Sequence, residues 1–320
     1  MGYVFEVDER LRKVIIFAHG VQVGNEWLEK LPLIVEKLCK KWDLEPIGIP
    51  NSGAMSCCVF VQDKKSSPLV LKIPVDPSVS TIEVQALSSW ATAGLSPIVV
   101  EFDKETGAFL MERVIPGTIA EPTGDGTSVD LITDVLRKQS QALCDLDAFP
   151  NYMERVNLRY EWADERFRGT KNEAGLALTE SAMNLASRLE AVPAPTHLLH
   201  GDLQPKNVLQ SRDGAWYLID PMPCCGPLES DLGLWISIQD EGLPCEELIR
   251  RLGTSDQIDE ELLASWVAVF TVLELRPYST KYLRRMVDFL HTDLAAGLLK
   301  GVDVHATVDS AVDVTSDPRP

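Results

Sequence analysis

The sequence predicts an α+β protein in two parts: a β-rich N-terminal part over residues 1–115 and a mainly helical part over residues 116–305. A tail, 306–320, reads as flexible. Three observations carry this reading. Between residues 45 and 112, short β-prone runs follow one another with a single helical stretch among them. After "VIPGTIAEPTGDGTS", rich in Gly, Pro and Thr, the apolar residues take up a helical period. One short hairpin then interrupts the helices, a segregation of strands and helices typical of α+β chains.

Each element has a local cause. Residues 26–42, "EWLEKLPLIVEKLCKKW", place Leu28, Leu31, Ile34, Val35 and Leu38 on one face of an opening helix. "EPIGIPNSGAMSCCVFVQ" reads as two strands broken at Asn51, Ser52 and Gly53, and "PLVLKIPV" as a third. "STIEVQALSSWATAG" opens on capping hydroxyls and repeats every 3.6 residues. "IVVEFD" and "GAFLMERV" form a hairpin around "KETG". In the helical part "VDLITDVLRKQSQALCDL" is an amphipathic helix, and residues 161–191 hold another. "NVLQ" and "WYLID" pair across a turn at Asp213 and Gly214. Helices resume from about 228 to 300, and "HATVDSAVDVTSDPRP" frays.

Composition narrows the function. With 45% hydrophobic and 24% charged residues, the 320-residue chain reads as soluble and globular. A formal charge of −18 argues against a nucleic-acid partner; it suits a cationic ligand, or serves solubility alone. No run of about 18 apolar residues occurs, and the opening "MGYVFEVDERLRKVIIFAHG" lacks a basic segment followed by an apolar one. The expectation is therefore a cytoplasmic protein with no membrane partner. Seven cysteines, with adjacent pairs Cys57-Cys58 and Cys224-Cys225 and no C-x-x-C, favour neither zinc nor a disulfide framework.

The chemistry concentrates in "LLHGDLQPKNVL", residues 198–209, where apolar flanks anchor a middle too polar and too proline-interrupted to continue a strand or helix. Around it fall Lys72 in a strand, Glu83 at the start of the next helix, Asp202, Asn207, and Asp220 at the end of the hairpin. Phosphoryl transfer from ATP needs a lysine for the phosphates, a carboxylate to orient it, a base for the acceptor hydroxyl and oxygen ligands for magnesium. The sequence supplies these groups in kinase order. The interval of five from Asp202 to Asn207 matches the protein-kinase catalytic loop H-R-D-x-x-x-x-N, and Asp220 stands where D-F-G would begin. Two departures, Gly201 in the middle of the triplet and Pro221 after the second aspartate, point to small-molecule relatives.

With "HGDL" followed by Asn207 and then "IDPMPCCGPLESDL", the chain resembles the aminoglycoside phosphotransferase superfamily. Within it, the resemblance is to the branch of streptomycin 6-kinases and hydroxyurea phosphotransferases. The similarity runs from about residue 28 to 300 and is most specific between 198 and 235. It implies a bilobal protein-kinase-like fold using ATP and Mg. Asp202 would be the catalytic base or hydroxyl-orienting group, and Asn207 and Asp220 the magnesium ligands. His200 and Asp231 would brace the loop, and Lys72 and Glu83 would form the phosphate-binding ion pair. Glu112 and Val114, in "LMERVIPG", would form the hinge whose backbone receives the adenine. Gly53 lies in a loop that either turns over the phosphates or is an ordinary hairpin. Lys206, where the resemblance leads one to expect a small residue, either reaches the transferring phosphate or is solvated.

The acceptor is expected to be a hydroxyl of a small molecule, cationic and aminoglycoside-like (streptomycin-like) or neutral like hydroxyurea. A metabolic kinase for an amino alcohol or sugar, and a non-catalytic nucleotide-binding pseudokinase, are the alternatives. The carboxylates of the helical part, Glu229 and Glu274 among them, read as solvated surface charges. Trp162, Trp235 and Trp266 read as core residues sooner than stacking platforms.

Overall fold

The computed structural model describes residues 5, 7–50, 55–120, 127–239, 242–277 and 283–312. The chain divides into two units, Met1–Gly117 with Ser211–Tyr217, and Thr118–Gln210 with Leu218–Pro320.

The first unit begins with α1 (Glu9–His19), whose N-terminus is capped by Asp8 accepting from the Leu11 N–H at 2.6 Å. Gly20, at φ 79°, turns the chain directly into α2 (Val21–Trp42). The single opening helix expected from residue 26 is thus two helices, because the periodic run of α2 extends upstream to a glycine turn. Strands β1 (Glu45–Gly48), β2 (Ser56–Gln62) and β3 (Pro68–Pro74) precede α3 (Ser80–Ala91), and β4 (Val99–Phe102) and β5 (Phe109–Glu112) follow it. They form one antiparallel sheet in the order β1-β2-β3-β5-β4. The expected break at Asn51, Ser52 and Gly53 lies outside the described residues.

The alternation of β3 decides what the sheet does. Leu69, Leu71 and Ile73 point to one face and join Leu28, Leu31, Val35 and Leu38 of α2 in a buried cluster. Trp27 of α2 ties the helix to the end of that strand, its Nε1 donating to the Pro74 carbonyl at 3.0 Å. Val70 points to the opposite face and packs with Leu87 of α3, Phe109 and Met111. Lys72, two residues on from Val70, shares that face with α3.

After β5 the chain runs through β6 (Pro116–Ile119), α4 (Thr127–Ser140), α5 (Tyr152–Gly169), α6 (Glu173–Glu190), β7 (His197–Leu199), β8 (Val208–Ser211), β9 (Trp216–Leu218) and β10 (Cys224–Gly226), with Ser211–Tyr217 belonging to the first unit. It continues through α7 (Leu228–Ser237), α8 (Cys245–Leu252), α9 (Glu260–Leu273), α10 (Leu283–Leu290), α11 (Asp293–Leu298) and α12 (Val304–Val312). Residues 161–191 do not form one helix: Lys171 adopts a left-handed φ of 54°, and Asn172 caps a new helix by accepting from the Gly175 N–H at 2.8 Å. The tail expected to be flexible from 306 is helical through Val312, with Val308 and Ala311 fully buried. Residues 313–320 lie outside the described residues.

Trp235 and Trp266 are core residues, Trp266 meeting Tyr152 edge to face at 5.4 Å, whereas Trp162 is 43% exposed. Cys57 and Cys58 alternate along β2, and Cys224 and Cys225 along β10, so each adjacent pair splits between the two faces of a strand. All seven cysteines are free thiols. Among the described residues no helix is long and apolar enough to cross a membrane.

Candidate active site

In the first unit, Lys72 and Glu83 are both buried, at 5% and 6% exposure, and form an ion pair between Lys72 Nζ and Glu83 Oε1. The strand places the ammonium on the α3 face, and Glu83 stands in the first turn of α3. The Phe109 ring lies 5.7 Å from the ammonium. At the end of β5, Glu112 and Val114 line a cavity of about 430 Å³ together with Pro97, Arg113, Ile115 and the hairpin residues Ser211–Asp213 and Tyr217. The hairpin is held there by the Arg212 N–H, which donates to the Ile115 carbonyl at 2.8 Å. The Arg113 guanidinium stacks 3.5 Å from the centre of the Phe60 ring. Val114 makes no backbone hydrogen bond among the described residues. Gly53 lies outside them.

The second unit brings six of the expected residues together. β7 leads into His200, Gly201 and Asp202, and β10 returns beside it in antiparallel register, Cys224 opposite Leu199. Asp231, in the first turn of α7, is buried and accepts from the His200 N–H at 2.6 Å and the Gly201 N–H at 2.9 Å. Gln139 of α4 donates to the same carboxylate at 2.9 Å and to the Leu198 carbonyl at 3.0 Å. The His200 ring is fully buried, with Nε2 at 2.9 Å from the Ile219 carbonyl and Nδ1 at 3.2 Å from the Asp202 N–H. These partners fix one tautomer: Nε2 carries the proton and Nδ1 accepts. Burial lowers the His200 pKa against the pull of Asp231, Asp202 and Asp220, so the imidazole is neutral at pH 7.

Gly201 is at φ 71°, and a Cβ there would collide with the Met222 carbonyl oxygen. This is the physical reason for glycine in the middle of the triplet. Asn207 is buried and spends its Nδ2 on Asp202, donating to the backbone carbonyl at 2.8 Å and to Oδ2 at 3.0 Å. Its Oδ1 has no protein donor among the described residues. The Asn207 carbonyl accepts from the Ile219 N–H at 2.9 Å, one residue before Asp220. Asp220 is exposed and adopts a left-handed φ of 55°, a conformation aspartate tolerates better than most residues. Among the described residues no three His, Cys, Asp or Glu side chains gather as a metal cluster.

Two residues that the sequence did not nominate complete the centre. Arg159 of α5, 4% exposed, donates from Nη2 to Asp202 Oδ1 at 2.6 Å and to the Gly201 carbonyl at 3.3 Å, and from Nη1 to Glu274 Oε1. Glu274, read from sequence as a solvated charge, is instead 8% exposed at the end of α9, with Arg276 at 3.2 Å on its other oxygen. Glu229 is likewise buried, its carboxylate accepting from the Asp259 N–H at 2.8 Å. Gln204 also donates to Asp202 Oδ1, and Lys206, 60% exposed, stands 3.7 Å from Oδ2. Burial pushes the Asp202 carboxyl up, but the Arg159 guanidinium and the Lys206 ammonium outweigh it and hold the pKa at about 2.

Comparisons with known proteins identify the family. Residues 41–275 match the family model described as aminoglycoside/hydroxyurea antibiotic resistance kinase. The streptomycin 6-kinase of Streptomyces glaucescens is 26% identical over 230 residues, covering 71% of this chain and 73% of that one. The streptomycin 6-kinase of Streptomyces griseus is 25% identical over 259 residues, covering 77% and 82%. Among solved structures, the choline kinase LicA from Streptococcus pneumoniae superposes with a TM-score of 0.56 at 16% identity, over 87% of this chain and 98% of that chain. At that identity the likeness speaks to the fold, which is of the α+β protein-kinase-like type.

Gly201→Ala tests the loop geometry. The left-handed backbone costs an L-residue about 1–2 kcal/mol, before the collision with Met222 is counted. Asp202 is the next residue, and a displacement of about 1 Å near a reacting group costs roughly 10²-fold in rate. Thermal unfolding and turnover should both register the change; a variant as stable and as active as the parent would contradict the geometry.

Proposed function

The chain belongs to the aminoglycoside/hydroxyurea antibiotic resistance kinase family and is a phosphotransferase enzyme, and we propose that it transfers the γ-phosphoryl group of ATP, with magnesium, to a hydroxyl of a small molecule. The acceptor is an aminoglycoside-type antibiotic, streptomycin-like, or hydroxyurea. The observation that carries this reading is the knot around Asp202: a carboxylate gripped by Arg159, Gln204 and Asn207, whose Oδ1 takes no protein donor among the described residues.

The residues fit the groups they would hold. Asn207 Oδ1 and the exposed Asp220 carboxylate are hard oxygen ligands suited to magnesium, which binds through one or two protein oxygens and completes its shell with phosphate and water. Magnesium so bound would neutralise charge on the β- and γ-phosphates. The buried Lys72 and Glu83 pair presents a fixed ammonium for phosphate, and the Val114 backbone, two residues after Glu112 and without a backbone partner among the described residues, offers a donor and an acceptor to a base. Lys206 would place an exposed cation beside Asp202.

In the transfer, the acceptor oxygen forms a bond to the γ-phosphorus while the bridging oxygen to the β-phosphate leaves with its electron pair as ADP. Asp202 receives the hydroxyl's hydrogen bond and aims its lone pair. A carboxylate held at a pKa of about 2 is a weak base, so its main contribution is orientation; the proton passes to it late, once the new O–P bond has made the hydroxyl strongly acidic, and goes on to solvent water, as a loose transition state permits. His200, neutral and fixed at both nitrogens, and Asp231 hold the loop and do not exchange protons with the acceptor.

Asp202→Asn keeps the shape and nucleotide affinity and should slow single-turnover transfer by roughly 10²-fold to 10⁴-fold. A rate within about threefold of the parent, well short of a positioned group's usual contribution, removes Asp202 from the role.

Asp220→Ala removes one of the two proposed magnesium ligands. ATP should bind more weakly in calorimetric titrations, and the deficit should shrink as magnesium is raised. Unchanged magnesium-dependent binding would show that Asp220 holds no metal.

The acceptor's charge is readable from salt dependence. Close to Asp202 the charges are nearly balanced, with Asp202 and Glu274 facing Arg159, Lys206 and Arg276, so the formal −18 of the whole chain would attract a polycation mainly at long range. Raising ionic strength to about 0.15 M shortens the Debye length to about 8 Å. KM for a streptomycin-like acceptor should climb while KM for ATP moves less. Turnover of uncharged hydroxyl compounds alone, with a salt-independent KM across a panel that includes amino alcohols and sugars, would leave the acidic composition as a solubility feature.

A further inference from the structure

We propose that Arg159, braced by Glu274, is the positioning residue that fixes Asp202 Oδ1 and thereby selects Oδ2 as the oxygen that meets the acceptor hydroxyl. This rests on the reading of Asp202 as the hydroxyl-orienting group, and it concerns residues 43 and 72 positions away from it that no sequence motif marks.

The asymmetry between the two carboxylate oxygens is the starting observation. Oδ1 is held by the Arg159 guanidinium at 2.6 Å and by Gln204 Nε2; Oδ2 is held by Asn207 Nδ2 at 3.0 Å, with the Lys206 ammonium more distant at 3.7 Å. The two charged partners differ in how readily they yield. Lys206 is 60% exposed on a flexible stem, so solvent can replace its contact at little cost. Arg159 is 4% exposed and cannot leave: its planar fork is engaged at one end by Asp202 and the Gly201 carbonyl and at the other by Glu274.

A buried arginine with one carboxylate partner could pivot about it. With carboxylates at both ends, and the Phe270 ring 6.0 Å from its centre, the guanidinium has one orientation in which every charge is paired. Burial of three ionised groups carries a large desolvation cost that apolar replacements would avoid. Their return here is geometric, because α5 and α9, two rigid helices, set the direction of a carboxylate that otherwise belongs to a loop. Oδ2, whose charged partner Lys206 is exposed and displaceable, is the oxygen left to take the acceptor hydroxyl, with the Asn207 amide beside it.

The test is Arg159→Ala assayed with and without free guanidinium, beside Arg159→Lys, Glu274→Gln and Asp202→Asn. A positioning role predicts that kcat of Arg159→Ala falls roughly 10²-fold while KM for the acceptor and the affinity for ATP change little, as for a misplaced reacting group. Millimolar guanidinium should restore a saturable part of the lost kcat, and Arg159→Lys, which keeps the charge but loses the fork, should fall between the two. Restoration by guanidinium is not expected of a variant whose loss is merely structural. If Arg159→Ala does not fold, Glu274→Gln decides, since it removes the far charge with little change of shape and should lower kcat severalfold at unchanged KM. A folded Arg159→Ala with parental kcat overturns the proposal, as does a loss that guanidinium does not reverse, or, where that variant cannot be obtained, a Glu274→Gln enzyme with parental kcat. Asp202→Asn separates the two levels: if it is inactive while Arg159→Ala is fully active, only this inference fails; if Asp202→Asn is itself active, the reading of Asp202 fails with it.

Discussion

The centre of the second unit hangs on the Asp231 carboxylate. It is 2% exposed, it stands in the first turn of α7, and it collects the His200 and Gly201 N–H groups and the Gln139 amide. A buried carboxylate without such donors would carry a penalty of several kcal/mol; with three N–H groups and a helix N-terminus behind it, the charge is accommodated. The donors are fixed by folding: two are consecutive backbone amides that must lie side by side to share one carboxylate. That requirement drives Gly201 into the left-handed region and projects Asp202 away from Asp231.

The two aspartates of the centre are therefore held by different means. Asp231 takes backbone donors and is sealed in, while Asp202, 13% exposed, takes side-chain donors and keeps one edge toward solvent. His200 couples them, since its backbone N–H serves Asp231 and its ring accepts from the Asp202 N–H. The ring's other nitrogen reaches the Ile219 carbonyl, next to Asp220. One imidazole thus spans the strand end before Asp202 and the strand end before Asp220. It can do so only while neutral, because a protonated Nδ1 could not accept; the lowering of its pKa by burial is part of how the two loops stay in register.

The parts of this centre that were legible in the sequence are those with short separations. His200, Asp202 and Asn207 lie within eight residues, and their spacing is enforced by a loop too short to rearrange. Lys72 and Glu83 were legible because β3 and α3 are consecutive elements whose alternation and helical period put both on one face. Arg159 was not. Its partner lies 43 residues away, and α5 carries charge around much of its circumference, so periodicity placed the helix start at 161, after the residue that matters. Glu274 follows a helix buried along most of its length, and nothing local distinguishes a carboxylate that ends in solvent from one that ends on a buried arginine. The helix over 304–312 escaped for a related reason: its buried residues Val304, Val308 and Ala311 depend on what packs against them.

Gly201 and Arg159 answer one another. Where the protein-kinase loop pattern carries arginine between its histidine and aspartate, this loop cannot, because the backbone is left-handed and a Cβ would meet the Met222 carbonyl. A cation nevertheless lies against that stretch of chain, donating to the Gly201 carbonyl and to Asp202, and it comes from the middle of an 18-residue helix. Delivering the charge from α5 changes its character. A loop arginine moves with the loop, whereas Arg159 is held against the core by Glu274 of a second helix, so the position of Asp202 is referred to the packing of α5 and α9 and no longer to the conformation of its own loop. A chain that gives up the loop side chain to let two backbone amides reach Asp231 regains a fixed charge from a more rigid place.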